Sequence, residues 1–451
     1  MHSSPVRFAT NGVAKQIATA LFKRLAAICE PIKFSVKFWD ETILALSPNP
    51  RFTIAIRDPH ALSTLFVSPD ELTLGESFIH GSLEIEGDWE EAFRLGEILI
   101  SFKADNAMYS SLRKLIAMFP RVKPRANRFV DDGNGEIHSR ERDRAAIGHH
   151  YDVSNDFYRL WLDERLLYTA AYFESAEEDL ETAQIRKLDY ICRKLDLHPG
   201  ERLLDIGCGW GGLLIHAASH YGVEARGITL SMRQAELARE RIGSAGLQNR
   251  CAVQICDYRD VEGDGTYDKI ASIGMIEHVG RSNLELYFND VWRLLRDGGL
   301  FLNSGITASA TWRRRGDSFI DNYVFPDGDL VPLHETLREA EMGGFEVRDV
   351  DCLREHYAFT LDRWIQRLDE RAAEARLTTD DLTYRTWKLY MAGSAHAFRT
   401  NRINLYQLLL SKPDGGRCAL PLTRHGWYEE AIAGGGNIRA IGQGVNPAME
   451  N

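Results

Sequence analysis

The segment Leu203–Gly212 (LLDIGCGWGG) restricts the fold of this chain more than any other. An apolar run ends on an acid, passes through closely spaced glycines and enters a helical pattern, the signature of a strand–loop–helix unit in a doubly wound α/β fold. From about residue 200 onward strands and helices alternate. Strands are expected at Glu201–Ile206, Val223–Ile228, Cys251–Cys256, Asp268–Gly274 and Leu300–Ser304, with helices at Ser231–Ile242 and Asn283–Arg296. Ser231 with Gln234, and Ser282 with Glu285, each fit a capping box, and Arg296-Asp297-Gly298-Gly299 fits a helix stop. This alternation predicts a mostly parallel sheet with helices on both faces. Two later strands, Phe345–Val350 and Leu405–Leu410, are expected on either side of a long helical insertion.

The glycines admit two cofactors. Gly207, Gly209 and Gly212 satisfy G-x-G-x-x-G, but a nicotinamide enzyme wants an acid about 20 residues on for the ribose hydroxyls, where this chain reads Gly227-Ile228-Thr229. Asp205, immediately ahead of the turn, would repel a pyrophosphate. It suits a ligand carrying an ammonium and a sulfonium, and S-adenosylmethionine is such a ligand. Asp257, ending the third strand, is placed to accept from an adenine amine. On the glycines alone an ordinary strand-to-helix turn stays open; the combination with Asp205 and Asp257 argues for a methyltransferase.

At 451 residues the chain exceeds one ordinary core, so two domains or one elaborated domain are expected. Residues 1–130 contain a strand-like run (Arg51–Arg57, RFTIAIR) and a turn-rich stretch, LTLGESFIHGSLEIEGD. RVKPRANRFVDDGNGE (121–136) reads as a linker. The expected division is a small α/β N-terminal domain at 1–120, a linker at 121–140, a methyltransferase domain at 141–415 with a helical insertion at about 307–400, and a loosely ordered tail at 416–451. No stretch approaches the roughly 20 apolar residues of a membrane span, and the N-terminus lacks the pattern of a secretory signal. Seven scattered cysteines without a Cys-x-x-Cys imply reduced thiols in a cytoplasm, with neither disulfides nor zinc.

A net charge of −11 argues against nucleic-acid binding, yet residues 101–130 carry seven basic residues (Lys103, Arg113, Lys114, Arg121, Lys123, Arg125, Arg128) against one acid, Asp105. A second basic knot stands at Trp312-Arg313-Arg314-Arg315. Such clusters fit anionic lipid headgroups, and equally a solvated face.

Several motifs converge on one family. His150-Tyr151-Asp152-Val153-Ser154-Asn155-Asp156-Phe157-Tyr158, Tyr168-Thr169-Ala170-Ala171-Tyr172-Phe173, the LLDIGCGWGG turn, Gly227-Ile228-Thr229-Leu230-Ser231 and Ser272-Ile273-Gly274-Met275-Ile276-Glu277-His278-Val279-Gly280 resemble the cyclopropane-fatty-acyl-phospholipid synthases. So do Tyr323-Val324-Phe325-Pro326-Asp327-Gly328, Leu405-Tyr406-Gln407 and Leu72–Ser77. The resemblance spans about 70 to 425, with the motifs in the family's order. It implies a class I methyltransferase fold (Rossmann-like, with a mostly parallel seven-stranded sheet) joined to a smaller lipid-binding N-terminal domain. It further implies an enzyme that works at the inner face of the membrane on unsaturated acyl chains of phospholipids, and family members commonly self-associate. Around S-adenosylmethionine it would place Tyr168, Thr169, Asp205, Gly207, Gly209, Trp210, Gly211, Thr229, Leu230, Gln234, Asp257, Tyr258 and Arg259. Gln234 equally fits a helix cap, Tyr168 and Trp210 plain core aromatics, and Thr229 a strand end.

A cis-alkene is a weak nucleophile, so its attack on a sulfonium methyl needs a dry pocket and a controlled approach. The cation that results can be stabilised by aromatic faces or carboxylates, and a base must then remove a proton. In the family that base is a bound bicarbonate. Its ligands would correspond here to Ala170 (a Cys in the family), Glu277, Ser304 (a His in the family), Ile306 and Tyr357; Ser394 replaces a further family Cys. Glu277 has the alternative of ordering its loop. The resemblance leaves the product open between a cyclopropane and a ring-free methyl branch. A small-molecule N- or O-methyltransferase and a catalytically silent lipid-binding module also stay open.

Overall fold

The computed structural model describes residues 5–29, 31–66, 69–101, 138–151, 153–311, 318–418 and 420–428. The basic residues Lys103 to Arg128, residues 121–137 of the linker expected at 121–140, the knot Trp312–Arg315 and the tail beyond 428 lie outside the described residues.

The N-terminal part contains α1 (Pro5–Ile28), β1 (Phe34–Lys37), β2 (Ile43–Ala45), β3 (Phe52–Ile56), α2 (Ala61–Phe66), α3 (Glu71–Ile79), β4 (Leu83–Gly87) and α4 (Trp89–Ser101). Its strands form one sheet in the order β2-β1-β3-β4 with its own apolar core, including Phe22, Phe34, Phe52 and Leu62. The stretch expected to be turn-rich is instead helix α3 followed by strand β4. Asp70 starts α3 with a capping box on Thr73. Gly75, a turn signal in the sequence, lies inside the helix, at a point where a Cβ would come within 2.5 Å of the Phe319 ring. It marks a close approach rather than a turn.

After α5 (Arg140–Tyr151), α6 (Asn155–Arg159) and α7 (Leu180–Lys194), strands and helices alternate: β5 (Arg202–Ile206), α8 (Gly212–Tyr221), β6 (Glu224–Thr229), α9 (Met232–Ser244), β7 (Cys251–Ile255), β8 (Tyr267–Ile273), α10 (Leu284–Leu294) and β9 (Leu295–Ala308). The chain ends with α11 (Phe319–Tyr323), α12 (Leu333–Met342), β10 (Glu346–Cys352), α13 (Arg354–Glu370), α14 (Ala372–Thr378), α15 (Asp381–Arg399) and β11 (Ile403–Ser411). These strands make a seven-stranded sheet, β10-β11-β9-β8-β5-β6-β7, with only β11 running against its neighbours. Consecutive residues of β5 feed different cores, Leu203 on one face and Leu204 on the other, as the two-residue period of a strand requires. This is the α/β architecture expected from the sequence, a mostly parallel seven-stranded sheet.

Local details differ from the sequence reading. Ser231 caps α9 by accepting from the Gln234 N–H, but the Gln234 side chain turns to Thr229 rather than back to Ser231, so the reciprocal half of the box is replaced. Ser282 caps nothing: it sits in a 3-10 turn, Arg281–Asn283, and α10 starts at Leu284 without a side-chain cap. Arg296–Gly299 is no separate stop, because β9 begins at Leu295 and Gly298 (φ 74°) bends it locally. The helical insertion does not run from 307 to 400; α12 and β10 belong to the alternating sheet, and the insertion proper is α13 to α15. Part of the tail is docked, with Trp427 buried 5.5 Å from the Lys194 ammonium.

Candidate active site

The C-terminal ends of β5, β6, β7 and β8 surround a cavity of about 140 Å³. β5 places Asp205 in its wall, and the turn beyond supplies Gly207 (φ 83°) and Gly209 (φ 52°) in left-handed conformations that favour glycine. Burial pushes the Asp205 carboxyl up to about 7, against the opposing charge of Lys187. Trp210 lines the cavity while its indole N–H donates to Asn155 at 2.8 Å and its ring packs 5.0 Å from Tyr158, so it is core and wall at once. Leu230 is in the wall, and Thr229 Oγ1 donates to Gln234 Oε1 at 2.8 Å, fixing both side chains there. Gly211 is the exception. It does not line the cavity; it is the N-cap of α8, facing the Ala238 methyl, and its φ of 77° explains the glycine.

The expected adenine end is more tightly bonded than the sequence suggested. Asp257 accepts from Arg259 through both oxygens, at 2.8 and 2.6 Å, and Arg259 also reaches Asp143 of α5 at 2.9 Å. Burial would raise the Asp257 carboxyl, but the Arg259 bonds outweigh it and hold it below its ordinary value. Tyr258 lines the cavity with its phenol oxygen buried and unpartnered.

Two residues that act at this cavity, one of them in its wall, escaped the sequence reading. Lys187 and Gln184 of α7 hold the Tyr168–Thr169 segment: the Lys187 ammonium donates to Thr169 Oγ1 at 2.8 Å, and the Gln184 amide donates to the Thr169 carbonyl at 2.9 Å. Only Lys187 lines the cavity. The available signal was their i, i+3 spacing, which puts two long polar side chains on the helix face that also carries Ala183 and Leu188.

Tyr168, Gly274 and His278 line this cavity and also a second, far larger one of about 840 Å³. The larger cavity runs between the seven-stranded sheet, helices α13 and α15, and the N-terminal unit, which contributes Phe78, Trp89 and Leu95 among others. Glu277 stands in its wall. The Ile306 N–H donates to Glu277 Oε1 at 2.6 Å, whereas Oε2 is buried with no partner. Burial pushes this carboxyl up to about 7, with the Ile306 bond opposing. His278, beside it, is pulled down to about 4 by burial. Tyr357 and Ile306 line the same cavity, and Tyr357 stacks on Phe398 at 4.6 Å. Tyr390 of α15, also missed in the sequence, accepts from the Tyr168 hydroxyl at 3.3 Å and joins the wall there.

The remaining two residues do not join them. Ser304 is buried on β9 between β8 and β11, and its hydroxymethyl group reaches neither cavity. Ala170 packs its methyl into the aromatic core and also lines neither. A bicarbonate therefore does not fit as the family pattern would hold it. Two of its five ligand positions are outside the cavity, and the Ile306 N–H is already engaged by Glu277. The S-adenosylmethionine site does fit: a bent glycine turn, a buried carboxylate for an ammonium, and a polar rim at the far end.

A family model described as mycolic acid cyclopropane synthetase matches residues 138–408, and one described as a domain of unknown function (DUF7884) matches residues 20–98. A "probable fatty acid methyltransferase" of Pseudomonas putida is 41% identical over 398 residues, covering 87% of this chain and 95% of that protein. The cyclopropane-fatty-acyl-phospholipid synthase of Escherichia coli K12 is 38% identical over 263 residues, covering 58% of this chain and 66% of that protein. Among solved structures, mycolic acid cyclopropane synthase CmaA1 complexed with SAH and CTAB superposes with a TM-score of 0.56 at 33% identity, covering 59% of this chain and 97% of that one. This chain thus belongs to the mycolic acid cyclopropane synthetase family of S-adenosylmethionine-dependent methyltransferases, the family of the cyclopropane-fatty-acyl-phospholipid synthases.

Proposed function

We propose that this protein transfers a methyl group to a double-bond carbon of an unsaturated fatty acyl chain of a membrane phospholipid. The carrying observation is that the cofactor cavity shares Tyr168, Gly274 and His278 with a largely apolar space of about 840 Å³, whose wall also carries the unpartnered Glu277 Oε2. Bound S-adenosylmethionine supplies an electrophilic methyl. The protein supplies the rest. Asp205 and the Gly207–Gly209 turn hold the methionine end, and Asp257, Tyr258 and Arg259 hold the adenine end. Apolar walls keep water from the cation that forms on the neighbouring carbon, and the Tyr168 and Tyr390 rings face it with electron density. Glu277 Oε2 takes the proton that the acyl chain then releases.

Which proton leaves decides the product. Loss from the transferred methyl closes a cyclopropane; loss from an adjoining chain carbon leaves a methyl-branched alkene. We favour the ring-free product, because Ser304 and Ala170 stand outside the cavity and Glu277 remains as the base beside the cofactor cavity. The basic residues of 101–130 support docking on anionic headgroups at the inner face of the membrane. Among the described residues no helix is long and apolar enough to cross it. The test is proton NMR of the lipid product formed on vesicles of monounsaturated phospholipid. Olefinic methyl-branch signals are expected, and upfield ring-methylene signals would overturn the ring-free assignment.

A further inference from the structure

Two opposite charges face the cofactor cavity without touching each other. Lys187 projects from α7 and Asp205 from the end of β5, and each is 3% exposed. Among the described residues no ion pair joins them, although the charge of each acts on the other. The neighbouring carboxylate, Asp163, is occupied by the backbone N–H groups of Leu167 at 2.7 Å and Arg165 at 3.0 Å. Arg259, a second cation in the wall, is held by Asp257 and Asp143. Lys187 donates to Thr169 Oγ1, and an ammonium carries three donors, so bonding capacity remains. A separated cation and anion in a closed pocket are costly alone and complementary to a ligand bearing both charges.

We propose that Lys187 receives the α-carboxylate of S-adenosylmethionine while Asp205 receives its α-ammonium, so that Lys187 makes this protein selective for a donor with an intact amino-acid end. This rests on the cofactor cavity assigned above, not on the lipid substrate. The titration of the pair is in keeping with it. Burial draws the Lys187 ammonium down to about 8 and pushes the Asp205 carboxyl up to about 7, and a zwitterionic ligand restores both to their charged forms. The competing role for Lys187 is a pin that only fixes Thr169.

Calorimetric titration of the full chain with S-adenosylmethionine, and with its analogue lacking the α-carboxylate, separates the two roles. Lys187→Gln keeps a donor for Thr169 and removes the charge. The wild type is expected to bind the intact cofactor about tenfold or more tightly than the analogue, as for a hydrogen bond to a charged group. Lys187→Gln is expected to bring the two within about twofold, through weaker binding of the intact cofactor. Equal weakening of both ligands in Lys187→Gln would reduce Lys187 to a pin and overturn the proposal. So would a wild type that binds both alike, a result that needs no variant to fold. Either failure leaves the lipid reading standing, since that reading is decided by turnover on lipid.

Discussion

Glu277 keeps one oxygen on the Ile306 N–H of β9 and leaves the other buried and bare, and the two halves have opposite effects on rate and on stability. Its carboxyl rises from 4.5 to about 7 in the fold. A carboxyl raised on folding stabilises most when neutral. That contribution is complete below about 4.5 and is lost as pH rises to 7, because the folded protein must then ionise a buried acid. Glu277→Gln keeps an acceptor for Ile306 without that charge. The variant should unfold at higher denaturant than wild type at pH 8, by ~1–3 kcal/mol, with most of the gain gone at pH 5. It should also lose methyl transfer to lipid while binding the cofactor within about twofold of wild type. Wild-type turnover in this variant would place the base elsewhere. At this scale the sequence was informative wherever a residue's place follows from a strand end: Asp205, Thr229 and Asp257 come to one cavity because their strands are parallel neighbours. Lys187 was not legible, since a lysine on an amphipathic helix reads as solvated until the packing of α7 on the cofactor turn is known. Ser304 failed for the opposite reason: alignment gives a position along a strand and not how far a short side chain reaches.

Between elements, the active-site geometry depends on how closely the turn Ile276–His278 approaches β9. Gly305 is the point of contact. A Cβ there would lie 2.2 Å from Ile276 Cγ2, so any side chain must push back the turn that carries Glu277. Gly305→Ala should cost about 1–3 kcal/mol, as overpacking does. It should also reduce turnover on lipid far more than cofactor binding, read by thermal melting and by titration. Unchanged turnover would mean that the Glu277–Ile306 bond does not set the rate. The same kind of contact explains why α3 was misread. Gly75 and Gly305 are both glycines of approach, and sequence offers no distinction between these and glycines of turning. Strands and helices from 200 onward were legible because their apolar periods differ and positive-φ glycines such as Gly222 separate them. Strands β10 and β11 were legible by the same signal, whereas where the insertion begins was not, because α12 joins the sheet layer only through packing across the chain.

Across the molecule, the large cavity exists because the N-terminal unit is fastened to the helical insertion. Arg385 of α15 donates to the Phe78 carbonyl at 2.8 and 2.6 Å and pairs with Glu84 at 2.7 Å; the Tyr323 hydroxyl donates to Glu76 at 2.9 Å. His396, 1% exposed, lies between Glu90 at 3.0 Å and Glu97 at 3.1 Å. The His396 and Arg402 bonds hold the Glu97 carboxyl down to about 2 against its burial. Such a polar seam fixes one arrangement of two apolar surfaces and leaves the space between them for a ligand. On the proposed reading that space takes the acyl chain. The direct test is transfer of isotopic label from the methyl of S-adenosylmethionine into phospholipid vesicles, monounsaturated against fully saturated with the same headgroup. Label in the acyl chains of the unsaturated vesicles and none in the saturated ones is the predicted result. No label in either, or equal label in both, would contradict methylation of an acyl double bond.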